Sequence, residues 1–156
     1  MTFRNRSATF TWGFSAIWFA MLIAMTYLVM RDGPPPGYSA PTTATILGLF
    51  WLGGLALIAC VSRQPCISVT VGQHGSIAAT WRYPHKVVRR ILPAGTVLPA
   101  KVVDAEDSEG GPYFRVRVKT SGGETIDIAE GHSRAACERT CKLFNSALDA
   151  ARFPNR

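Results

Sequence analysis

Charge is what this 156-residue chain has least of: Asp, Glu, Lys and Arg make up 17% of it, where a soluble domain carries about a quarter. That scarcity excludes a disordered polyelectrolyte and argues against a fully water-exposed globule. It is also uneven. Residues 7–30 and 33–62 hold no Asp, Glu, Lys, Arg or His, so the first 62 residues carry only Arg4, Arg6, Arg31 and Asp32. Intramembrane ionisable side chains mark proton relays, ion paths and haem ligands, and their absence excludes transport or electron carriage by these segments on their own. Histidines number three, and no GxSxG, HExxH, P-loop or GxGxxG pattern accompanies them, which leaves an enzyme without a recognisable site. A helix-turn-helix, a zinc framework and an aromatic RNA-binding signature are missing too, so nucleic acid is not an expected partner.

Two long apolar runs are present instead. Residues 9–30 give 22 positions, and at ~1.5 Å per residue a helix of that length crosses a ~30 Å hydrocarbon core. A cleaved signal peptide would have a shorter apolar centre and a small-x-small cleavage site. Residues 31–42, with Pro34, Pro35 and Pro36 in succession between Gly33 and Gly37, cannot continue a helix and predict a short loop. Residues 43–62 predict a second span. Arg4 and Arg6 before the first run and Arg63 after the second place both flanks on the cytoplasmic side, with residues 1–8 as a cytoplasmic N-terminus and residues 31–42 periplasmic. The alternative is a hairpin of core helices in a soluble protein. Leu57-Ile-Ala-Cys60 resembles a lipobox but follows a second span, so a cysteine at the membrane end is the expectation. Ala16, Ala20 and Ala24 in the first run, and Ala44 and Gly48 in the second, recur every four residues. Such rows let helix backbones approach, either within the hairpin or against another membrane protein.

From residue 63 to residue 156 the texture changes to short alternating segments. Residues 66–71 and 76–83 flank Gly72-Gln-His-Gly75 and predict a hairpin; residues 86–92 and 96–104 follow, with Pro99 marking an edge or bend. Residues 104–111 form an acidic, Gly-containing loop, and residues 113–120 and 124–129 make the clearest hairpin, turning at Ser121-Gly-Gly123. A closing helix begins at Ser133 as N-cap and carries Cys137, Cys141, Phe144, Leu148 and Ala151 on one stripe, with Pro154 at its end. The stripe argues that the two helix cysteines pack against a sheet and do not hold a metal with His132; no metal or cofactor is expected. In a cytoplasmic domain all four cysteines are expected to be reduced.

Two N-terminal spans followed by six or seven short antiparallel strands and one amphipathic helix resemble the bacterial PH-like membrane proteins. The features that carry the resemblance are Trp81-Arg82-Tyr83 at the end of a hairpin, the basic segment Val87-Val-Arg-Arg-Ile-Leu-Pro93, the strand pair Tyr113–Lys119 and Gly123–Ile128, and the helix from Ser133. The resemblance implies an α+β membrane protein, a two-helix transmembrane hairpin plus an antiparallel PH-like β-sandwich or barrel with one C-terminal capping helix, in the bacterial inner membrane with both termini inside. It implies a binding scaffold and no catalytic residues. Some families of this layout resemble assembly factors or accessory subunits of respiratory and photosynthetic complexes, so the expected role is non-enzymatic docking on a larger integral-membrane complex.

The basic residues are the docking candidates. Arg115, Arg117 and Lys119 share one face of their strand, and Arg82, Lys86, Arg89 and Arg90 lie on neighbouring segments. Three readings stand: a face for anionic phospholipid headgroups or a protein partner, a solvated face, or a row neutralised internally by Asp104, Glu106, Asp107, Glu109, Glu124 and Asp127.

Overall fold

A computed structural model describes residues 1–153. They divide into two compact units, one of Ala8–Pro65 with Tyr83–His85, the other of Met1–Ser7, Cys66–Arg82 and the chain from Lys86 onward.

The first unit is a helical hairpin, α1 (Ala8–Asp32) and α2 (Ala40–Val61), both long and apolar enough to cross a membrane. Each helix runs slightly past its expected bounds. α1 takes in Arg31 and Asp32, whose side chains form a two-pronged pair at 2.7 Å, and a cation in the last turn complements the helix dipole. Gly33, at φ +84°, turns the chain out while its N–H still reaches Val29 O at 3.0 Å. α2 starts inside the segment expected to be loop. Ser39 Oγ accepts the Thr42 N–H at 3.3 Å, and Pro41 occupies the first turn, where a helix needs no N–H.

Among the described residues the second unit holds seven strands, one α-helix and a single 3-10 turn at Gln73–Gly75. β1 (Thr2–Asn5), β2 (Cys66–Val71), β3 (Ile77–Arg82) and β4 (Val87–Leu92) form an antiparallel sheet in that spatial order; β5 (Lys101–Glu106), β6 (Pro112–Lys119) and β7 (Thr125–Gly131) form a second. α3 (Arg134–Arg152) closes the unit. Pro154, expected to mark the end of this helix, lies outside the described residues.

Three features depart from the expected pattern. β1 falls in a segment expected to be only a cytoplasmic flank: Thr2, Phe3, Arg4 and Asn5 pair with Thr70, Val69, Ser68 and Ile67 on the far side of both helices in the sequence. The expected strand 96–104 is displaced. Pro99 has no donor, the Ala100 N–H goes to Asn145 Oδ1 at 2.7 Å, and Val97 makes only an isolated bridge to Thr120, so regular pairing begins at Lys101 and extends to Glu106. The acidic loop is accordingly shorter. Asp107 closes it by accepting the Glu109 N–H at 2.9 Å and the Gly111 N–H at 2.7 Å.

Alternation builds the core. Phe3, Val69, Val71, Ile77, Ala79, Val116, Val118, Ile126 and Ile128 are buried, every second residue along most of their strands, as a half-buried sheet requires. The α3 stripe lies against them: Cys137, Phe144 and Leu148 are buried, Cys141 and Ala151 partly so. Ser133 Oγ caps the helix by accepting the Ala136 N–H at 3.3 Å. Phe144 meets Phe3 edge to face, ring centroids 5.3 Å apart. Burying a side chain of that size contributes ~1.5–3 kcal/mol, so the N-terminal strand is part of the core. Asn5, itself buried, donates from Nδ2 to Asp127 O at 3.3 Å and Glu130 Oε1 at 3.2 Å, joining β1 to β7.

Candidate docking surface

The seven basic candidates do not form one face. Arg82, Arg89 and Arg90 belong to the first sheet, Lys86 to the segment between β3 and β4, and Arg115, Arg117 and Lys119 to the second sheet.

On β6 the expected alternation holds, with Val116 and Val118 buried and Lys119 exposed. Arg115 and Arg117 are half-buried and already paired across the strand. Arg117 sits opposite Asp127 and donates twice to its carboxylate, Nε to Oδ1 at 2.8 Å and Nη2 to Oδ2 at 3.0 Å. That pairing holds the Arg117 guanidinium above its ordinary pKa. Arg115 faces Glu130, Nε to Oε2 3.6 Å, and lies over the Tyr113 ring. For these two residues the internally paired reading is the one observed. Asp127 is among the carboxylates expected to do this, but Glu130 is not; the β-bulge between Val116 and Arg117 shifts the register so that Glu130 falls opposite Arg115.

Adjacent residues of β4 are split between the two sides of the first sheet. Arg90 is in register with Ala79, on the core side, and reaches Glu124 at 3.2 Å while lying over the Trp81 ring. Arg89 is in register with Thr80 on the outer side and is exposed. Arg4, Ser68, Thr80 and Arg89 run in one cross-strand row there, and Cys66 with Arg82 forms the next. Arg4, Arg6, Cys66, Ser68, Thr80 and Arg82 line a groove of about 310 Å³.

The electrostatics of the two sheets differ because their sequences do. Residues 1–7 and 66–92 contain six basic and no acidic residues; residues 101–152 contain eight basic and nine acidic. The positive excess of this unit belongs to the first sheet. Arg4, Arg6, Arg82 and Arg89 make no ion pair among the described residues, and the Ser68 and Thr80 hydroxyls make no hydrogen bond there. In the sequence, Arg4 and Arg6 serve only as markers of orientation. The available signal was the alternation in Thr2-Phe-Arg-Asn5, too short to read as a strand without its distant partner.

In the hairpin, Ala16, Ala20, Ala24, Ala44 and Gly48 are all exposed. They do not make the close approach between α1 and α2. That approach falls at Gly54, where a Cβ would stand 3.1 Å from Phe19, 3.2 Å from Leu22 and 3.3 Å from Trp18. Phe19 and Trp51 stack edge to face at 5.8 Å, and Trp18 meets Phe50 at 5.9 Å. Trp51 Nε1 donates to Thr26 Oγ1 at 3.1 Å. Aromatic bulk surrounds this approach, and Gly54 sits where three large side chains converge. The alanine row is left on an outer face with Ile17, Met21 and Ile23.

The histidines occupy separate settings: His74 in a turn at φ +59°, His85 beside Tyr83, and His132 with Asp107 at 3.6 Å. Among the described residues no group of three His, Cys, Asp or Glu is arranged to hold a metal. Burial pushes the Cys137 and Cys141 thiols above their ordinary pKa, and both donate to backbone carbonyls, of Phe114 and Ala100; both pack against the core of this unit. Compared with protein-family models and with curated proteins, the chain matches none.

Proposed function

We propose that this chain is a non-enzymatic, membrane-anchored binding module, an accessory or assembly subunit of a larger bacterial inner-membrane complex, with both termini in the cytoplasm. The observation that carries the reading is the pairing of β1 with β2. The strand ahead of α1 and the strand behind α2 are hydrogen-bonded neighbours, so helices that cross a membrane must return to the side from which they started. Arg4, Arg6 and Arg63 favour the cytoplasm for that side. Four antiparallel strands, then three, then one closing helix support a PH-like domain, a scaffold whose ligand is set by its surface and not by its fold. The outward row of Ala16, Ala20 and Ala24, exposed with Ile17 and Met21, suits contact with another membrane helix.

The test is a pull-down through a C-terminal tag from native membranes in mild detergent at low salt. A stoichiometric integral-membrane partner is expected, weakened when Ala20 becomes Leu. Recovery of this chain alone would count against the reading. A second reading, an anionic-lipid sensor, is favoured by the acid-free first sheet.

A further inference from the structure

We propose that the groove on the outer side of the first sheet binds the phosphate of an anionic phospholipid headgroup, held by Arg4, Arg6 and Arg82 with Ser68 and Thr80 as hydroxyl donors. This deepens the second reading above and rests on α1 and α2 crossing a membrane.

Charge identifies the ligand. Three guanidiniums line one groove of about 310 Å³, and none has an ion pair among the described residues. The strands beneath them contain no carboxylate, whereas Arg115 and Arg117 on β6 face Glu130 and Asp127. The sequence thus places internal counterions against one set of arginines and none against the other. A guanidinium matches phosphate with a planar fork of donors, and hydroxyls on the same face complete the set. Register keeps them together: Arg4 with Ser68, Ser68 with Thr80, Cys66 with Arg82.

The tether identifies the source. Arg6 stands two residues before the first residue of α1, and Cys66 five after the last residue of α2. At ~3.5 Å per residue, linkers this short tether residues of the groove to chain segments that would leave the membrane at its headgroup layer, where phosphates are most concentrated.

The full chain is titrated in a neutral detergent with dihexanoyl phosphatidylglycerol, dihexanoyl phosphatidylcholine, sodium phosphate and polyglutamate, binding being read by calorimetry. Saturable, salt-sensitive binding of phosphatidylglycerol is expected, weakened roughly fivefold by Arg82→Gln and again by Arg4→Gln. Arg139→Gln, an exposed change on α3, should leave it unaltered, and all variants should keep the wild-type circular dichroism. Equal affinity for phosphatidylcholine, or unchanged affinity in both groove variants, overturns the proposal. Free phosphate binding as tightly as phosphatidylglycerol overturns the lipid source, and tighter polyglutamate binding points to an acidic protein and overturns it too. Alkaline carbonate extraction of membranes separates the two ideas. Release of the chain overturns the membrane reading and the lipid source with it; retention without phosphatidylglycerol preference sinks the groove alone.

Discussion

Asn5 and Glu130, 125 positions apart in sequence, are joined by a hydrogen bond of 3.2 Å from Asn5 Nδ2 to Glu130 Oε1. Asn5 is buried, and its amide also donates to Asp127 O. One side chain from the segment ahead of α1 therefore ties the first sheet to the last strand of the second. Asn5→Ala removes these two bonds and the one that Asn5 Oδ1 accepts from the Ser7 N–H at 3.1 Å, and leaves the Asp127 carbonyl short of a donor. A loss of about 1–3 kcal/mol is expected, measured as a lowered unfolding midpoint of the full chain in detergent. A midpoint equal to wild type would mean that β1 docks without this contact.

Deleting Met1–Asn5 should do more. It strips the partner from β2 and removes Phe3 from the face of Phe144, exposing an unpaired strand edge and an apolar gap. A fragment beginning at Arg63 is expected to aggregate, whereas the same fragment with residues 1–7 fused ahead of it through a flexible linker should stay monomeric in gel filtration.

Within the hairpin, Gly54→Val should weaken the pairing of α1 and α2, by roughly 1–3 kcal/mol as overpacking typically does, because Phe19, Leu22 and Trp18 already stand 3.1–3.3 Å from the new Cβ. Ala16→Val should leave the pairing unchanged, since Ala16 is exposed. Cysteine cross-linking between the helices in a background free of native thiols distinguishes the two; equal cross-linking in both variants would contradict the seam described.

Two of the ion pairs that neutralise arginines differ in setting. Arg117 and Asp127, bonded twice, have side chains 28% and 23% exposed; Arg90 and Glu124 share one contact at 3.2 Å and are 60% and 40% exposed. Double-mutant cycles to Ala should give a larger coupling for the first pair, about 1–2 kcal/mol against under ~0.5 for the second, with only the second abolished by high salt.

Acid should loosen the β5–β6 turn. The Asp107 carboxyl is held below its usual pKa first by the Gly111 N–H, then by the Glu109 N–H. A carboxylate depressed on folding adds stability that is present above its unfolded pKa and lost as pH falls through the lower folded value. Amide exchange at Glu109 and Gly111 should accelerate as pH falls below the ordinary carboxylate range, after correction for intrinsic rates. Asp107→Asn should flatten that dependence while keeping an acceptor in place.

Much of the fold is legible locally. Two uncharged runs each long enough to be a helix, the strict alternation of β6, the Gly-rich turn after it and the apolar stripe of α3 with its Ser133 cap all declare themselves within windows of a few residues. The reason is that periodicity reports which face is buried, and that requirement acts along a single element. Where pairing replaces periodicity, local reading fails. Thr2–Asn5 is a strand only because β2 lies beside it, and Lys101 begins β5 because Asn145, on a helix 45 positions later, takes the Ala100 N–H.

The docking residues divide in the same way. By itself the sequence determines that the chain is basic and that its charges avoid two long segments, since composition alone sets total charge and hydropathy. Only the tertiary structure decides which arginines are already answered. Glu130 reaches Arg115 through a bulge, Arg90 is met by Glu124, and Arg4 and Arg6 are brought onto the same groove as Arg82 from segments far apart in the chain. Whether a charge is paired depends on distances of a few ångströms between remote positions, and those distances come into being only when the sheets assemble.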